Sequence, residues 1–220
     1  MSLFALILVL IAAFMHAGWN LLVYALQQDR YLLVRLSLLF GLVGLGPLLI
    51  AEWLHPTLTP RAWQMLAVAG VCQTMYLTGL TMGYRSGDFT IIYPLVRALP
   101  ILALVVMDMV RDRMPTPTGW AGIIMVTAGC CCLAFSAMRD ARSGRWAAQW
   151  FWIALTAAGT IGYCAADKIA LESIPEGLDG AWRYGVIEFV LGALGAGLCL
   201  GATPVGVLHP QPPVGWIRTL

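Results

Sequence analysis

The side chains best able to do chemistry in this chain are isolated polar and ionisable groups inside long apolar runs. Arg97 stands eight positions into the run that begins at Phe89. In a helix that is roughly 12 Å from the end, too deep for its guanidinium to reach water easily. Tyr93 lies one turn earlier on the same face. Pro94 removes the backbone donor for the carbonyl of Thr90, and Pro100 does the same for Val96. A planar guanidinium beside freed carbonyls can hold a carboxylate or phosphate of a solute, or it can pin neighbouring helices through their carbonyls.

His16, Asn20 and Gln27 fall on one stripe of the first apolar run, at a depth that brings His16 close to the level of Arg97. Such a stripe can bind a solute, relay protons or hydrogen-bond a neighbouring helix. Glu188 reads as the one carboxylate well inside a run, and it shares a helical face with Gly192 and Gly195. Faces of small residues pack against other helices, so Glu188 is expected to point into protein. There it is a candidate proton or ion site, or else a structural cap near the interface.

Other groups call for plainer roles. Lys168 with Asp167, Arg35, and the set Arg139, Arg142 and Arg145 sit near the ends of runs, where solvated or snorkelled charge is the rule. Thr74, Thr78 and Thr81 form a stripe suited to packing. Cys72, Cys130, Cys131, Cys132, Cys164 and Cys199 all lie in apolar stretches and behave as small hydrophobes, not as a disulfide framework or a metal site. No nucleophile with a base, metal cluster or acidic pair recurs, so no catalytic residue, metal or cofactor is expected and a membrane-embedded enzyme is disfavoured.

The elements that must position these groups follow from composition. Of 220 residues, 60% are hydrophobic and 11% charged, too few charges to give a soluble domain its polar surface. Runs long enough to cross a hydrocarbon core about 30 Å thick occur at Leu3–Leu26, Tyr31–Trp53, Trp63–Tyr84, Phe89–Val110, Thr118–Met138, Ala147–Leu171 and Ala181–Thr203. They are continuous rather than alternating, which excludes transmembrane strands. The fold class is therefore all-α: a polytopic integral membrane bundle of seven transmembrane helices. Short connections predict that consecutive helices are antiparallel neighbours. The first run has no positive flank and no clear cleavage site, so it reads as a retained helix, not a signal peptide. A net charge of +2, with arginines scattered singly, excludes nucleic acid as a partner. Basic residues are too evenly divided between the two sides to set the orientation.

The chain also resembles itself. Gly41, Gly44 and Gly46 recur in spacing as Gly192, Gly195 and Gly197, and Ala13, Gly18 and Trp19 match Ala157, Gly162 and Tyr163. Trp63 after Pro60 has a counterpart in Trp216 after Pro213. Residues 1–138 thus form a first five-helix repeat, and 139–220 hold the first two helices of a second. An odd number of crossings places the second repeat upside down in the membrane, the inverted-repeat plan of many transporters.

These residues resemble a known family. His16-Ala17-Gly18-Trp19-Asn20 is similar to the His-Ala-x-Trp-Asn opening of the EamA-like branch of the drug/metabolite transporter superfamily. Tyr93-Pro94-Leu95-Val96-Arg97, preceded by Gly87-Asp88-Phe89, resembles its Tyr-Pro-Leu-x-Arg segment. Asp112-Arg113 followed by Trp120 and Gly122 resembles its Glu-Arg…Trp-x-Gly pattern, with Asp for Glu. Tyr24 departs from the lysine common there. The resemblance implies ten helices in two five-helix repeats, so three helices are expected to be missing after the seventh, supplied by a longer chain or by another polypeptide.

It also implies a cytoplasmic N-terminus, location in the cytoplasmic (inner) membrane, and alternating-access movement of a small polar or anionic metabolite. The substrate-binding residues are expected to be Arg97, Tyr93, Trp19, His16 and Asn20, with Glu188 coupling a proton or ion. Expected partners are the solute and the lipid bilayer, with a homodimer or a completing membrane subunit as a further possibility. The alternative is a non-transporting remnant or accessory subunit.

Overall fold

A computed structural model describes residues 3–87, 89–140, 146–175 and 177–203. Seven helices run through them: α1 (Leu3–Ala25), α2 (Leu32–Leu54), α3 (Pro60–Ser86), α4 (Phe89–Val110), α5 (Pro117–Asp140), α6 (Trp146–Leu171) and α7 (Leu178–Ala202). No strand occurs among the described residues. Asp88, Arg142, Arg145 and the Pro213/Trp216 pair lie outside the described residues.

Helix ends follow local chemistry. α3 begins three residues before the expected Trp63 because the Thr59 side chain accepts from the Ala62 N–H at 3.1 Å, and Pro60 takes the first-turn position that needs no donor. At its other end α3 continues to Ser86, where Arg85 donates to the carbonyls of Gln27 at 2.6 Å and Gln28 at 3.0 Å and so ties α3 to the end of α1. Prolines are carried inside α2 (Pro47) and α4 (Pro94, Pro100).

Six of the seven helices are long and apolar enough to cross a membrane; α6 falls short of that apolarity. The reason is visible in its packing. α6 buries Gln149, Thr156 and Thr160 under α3 and α4, so less of it needs to be lipid-compatible. α1 and α5 are the opposite case. Phe14 and Met125 are largely exposed, forming an apolar outer surface that suits lipid.

Sequential order is a poor guide to contact here. Although short turns join them, α2 packs little on α3 and α3 little on α4; the close pairs are α3 with α6, α3 with α7, α2 with α7, and α4 with α5. Among consecutive helices only α4 and α5 are close neighbours. Small residues select these pairs. A Cβ at Gly159 of α6 would sit 2.6 Å from the Cys72 carbonyl oxygen and 2.6 Å from the Tyr76 nitrogen, and one at Gly79 of α3 would sit 2.9 Å from the Thr156 nitrogen. The α3 and α6 backbones therefore touch, antiparallel, through glycine. Gly41 and Gly44 of α2 receive Val190 and Val186 of α7 in the same way. α3 is the central helix, and every residue from Tyr76 to Ser86 is buried.

Candidate functional site

α1 contributes a hydrogen-bonded relay. Trp19 Nε1 donates to His16 Nδ1 at 3.1 Å, with the two rings edge to face at 5.3 Å. That bond makes Nδ1 an acceptor, so the neutral ring carries its hydrogen on Nε2, which is buried and has no partner. One turn on, Asn20 is fully buried. Its Nδ2 donates to the His16 carbonyl at 2.8 Å, while its Oδ1 accepts from the Tyr84 hydroxyl at 2.8 Å and from Arg97 at 3.4 Å. The expected stripe is thus real at His16 and Asn20. Gln27 is also buried, and there it is the backbone carbonyl that bonds, to Arg85.

Arg97 lies over the Tyr93 ring at 5.5 Å, and Tyr93 is stacked on Phe89 at 4.9 Å. Its Nε is buried with no partner. No ion pair engages it among the described residues; its electrostatic neighbours are the tyrosines Tyr76, Tyr84 and Tyr93.

Glu188 is 6% exposed and Gly192 is buried. A Cβ at Gly192 would meet the Gln73 side chain, and one at Gly195 would meet Thr74, so this face of α7 packs on α3 as its small residues predict. Thr74 is anchored by its hydroxyl donating to the Gly70 carbonyl at 2.8 Å, which places the threonine at a packing seam.

These elements enclose a cavity of about 530 Å³ between α1, α2, α3, α6 and α7. Of the expected residues, His16, Trp19 and Glu188 line it; Arg97, Tyr93 and Asn20 stand behind that lining, linked to it through the Asn20–His16 bond. The polar lining also includes residues the sequence reading did not place in a site: Ser37, Gln73, Tyr76, Tyr163 and Asp167. Asp167 corrects two expectations at once. It is not a solvated end charge beside Lys168, and Glu188 is not alone, because both carboxylates face one cavity. Adjacent helical positions point about 100° apart. Asp167 consequently turns inward while Lys168 reaches Asp108 on α4.

Three further arginines near the ends of the bundle are engaged elsewhere. Arg183, buried at the start of α7, pairs with Glu52 at 2.8 Å and with Asp179, and donates to the His55 carbonyl at 2.8 Å. Arg111 and Arg113 clasp Glu172 at 3.1 and 2.9 Å, joining the α4–α5 turn to the residue just past α6. The hydrogen bond from Arg113, with help from Arg111, holds the Glu172 carboxyl below the usual carboxylate range. All six cysteines are free. No cluster of three metal-ligating side chains occurs among the described residues.

The sequence model of the EamA-like transporter family matches residues 3–135, more than half of the chain. No curated protein and no solved structure matches.

Proposed function

The chain belongs to the EamA-like transporter family, and from that premise we propose that it moves a small polar solute through the central cavity by alternating access. A multi-pass membrane protein of a transporter family has a small-molecule substrate and a bilayer as its partners. The cavity supplies a place for that solute. At about 530 Å³ it falls within the size range of small-molecule sites, and its apolar walls carry a few converging polar groups.

The observation that carries the reading is the pair of polar side chains left unpaired inside it. His16 Nε2 and Gln73 Oε1 are buried without a partner, a costly state that a bound solute or water relieves. In this reading His16, Trp19 and Gln73 contact the solute, and Glu188 with Asp167 supplies the group whose charge changes in the cycle. Arg97, Tyr93 and Asn20 hold the α1 relay in place. The inverted repeat gains support from two features: α2 and α7 cross antiparallel through Gly41, and the repeat-related Trp19 and Tyr163 line the same cavity. Location in the inner membrane is part of the proposal.

A second reading, an anionic solute reaching Arg97, is favoured by the unpaired Nε of that residue. To test transport, the purified protein is reconstituted in liposomes and offered a defined panel of neutral, anionic and cationic small metabolites. Saturable accumulation of at least one, lost in Gln73→Leu, supports the reading. Accumulation of none by folded protein refutes it.

A further inference from the structure

We propose that the central cavity recognises organic cations, an ammonium group on a small apolar body, with the charge held between Asp167 and Glu188. The inference rests on the reading of this cavity as the solute site and gives that site a substrate class. Asp167 on α6 and Glu188 on α7 both line the cavity, and no ion pair engages either one among the described residues. The cations nearest in the fold are spoken for. Lys168 is bound to Asp108, Arg183 to Glu52 and Asp179, and Arg97 lies over Tyr93 outside the lining.

A third acceptor lines the same cavity. Gln73 on α3 is 4% exposed, lines the cavity, and leaves its Oε1 without a partner; Asp167 Oδ1 is likewise buried without a well-formed hydrogen bond, the Tyr184 hydroxyl being its polar neighbour. Three acceptor side chains from three helices match the three donors of an ammonium group. Charge-assisted hydrogen bonds to carboxylates are the strong kind, and burial weakens their competition from water.

The rest of the lining fits the body of such a molecule. Trp19, Tyr76 and Tyr163 present aromatic rings, which favour a cation over their faces and stack against an apolar substituent. A bare metal ion fits less well, since the cavity is far larger than an ion and no three metal ligands cluster among the described residues. An anion entering here would meet two carboxylates.

The test compares three compounds that share one ring and differ in charge: phenethylamine, 2-phenylethanol and phenylacetate. Binding to the full chain in detergent at neutral pH is read by calorimetry. The amine is expected to bind at least about tenfold more tightly than the other two, and Glu188→Gln and Asp167→Asn, both isosteric, each to weaken it by about tenfold or more. Affinity for the uncharged 2-phenylethanol falls by a smaller factor than that for the amine in both variants.

Phenylacetate binding as tightly as the amine, an amine affinity indifferent to both substitutions, or binding of none of the three overturns the proposal. The same compounds are then followed for flux in proteoliposomes. Amine that binds through Asp167 and Glu188 without crossing upholds the cation site and defeats the transport reading. Saturable phenylacetate flux without amine binding does the reverse.

Discussion

Replacing Gly159 by alanine tests the packing that builds the cavity. A methyl group there would sit 2.6 Å from two backbone atoms of α3, the Cys72 carbonyl oxygen and the Tyr76 nitrogen. Ordinary contacts of carbon with such atoms begin near about 3.3 Å, so the helices must separate by roughly 0.7 Å. Backbone cannot swing aside as a flexible side chain can, and overpacking of this kind costs about 1–3 kcal/mol. That corresponds to a factor of about 5 to 150 in the folded population.

Gly18 provides the control, because nothing lies within 4 Å of a Cβ built on it, and Gly18→Ala should be neutral or gain up to about 1 kcal/mol of helix stability. The assay is reversible unfolding of purified protein in mixed micelles, followed by tryptophan fluorescence. Since Tyr76 lines the cavity, Gly159→Ala should also weaken solute binding, while Gly18→Ala leaves it alone. A Gly159→Ala protein as stable as wild type would refute the direct α3–α6 backbone contact.

Arg97→Ala should insert normally yet lose transport, and Arg97→Lys should retain less than about a tenth of wild-type flux, since a point charge cannot bond Asn20 and cover the Tyr93 ring together. Wild-type flux in vesicles of either variant would count against it. Glu172 has its carboxyl held below the usual range, so its contribution to tethering the α4–α5 turn is complete above the unfolded carboxylate range and is lost only as pH falls through the depressed value. Hydrogen-exchange protection factors at residues 111–116, corrected for intrinsic exchange, should therefore be steady from pH 5 to 8 and fall in acid, and Glu172→Gln should remove that acid dependence. Arg183→Ala should lower thermal stability more than Arg35→Ala, because Arg183 is buried among Glu52, Asp179 and a carbonyl, whereas Arg35 holds only Asp29 and is exposed. Equal melting temperatures for the two variants would contradict that ranking.

Much of the bundle was legible because apolar length is a one-dimensional signal. The packed face of Glu188, Gly192 and Gly195 follows from local spacing, whereas the Thr59 cap starts α3 three residues before the apolar run suggests. What the sequence hid was pairing in space. Asp167 looked like a helix-end charge because it stands beside Lys168, and only the packing of α6 on α3 and α4 shows which way it turns. Gln73 carries no motif and is informative only because its amide oxygen has no partner. Arg97 was legible as a deep cation, but its distance from the cavity lining depends on how α4 packs on α6, which short connections misrepresent by suggesting sequential neighbours. The absence of an acidic pair from the sequence reading has the same cause: its two members lie on different helices.

The central claim, a cavity that opens alternately to both sides of the membrane, is tested most directly at Ser37, which is buried in the body of α2 and faces the cavity. In a background whose six native cysteines are replaced, Ser37→Cys is exposed to a membrane-impermeant thiol reagent in right-side-out and in inverted vesicles. Labelling from both faces, slowed by a transported solute, is the result predicted. Labelling from one face only, whatever solute is present, would contradict alternating access.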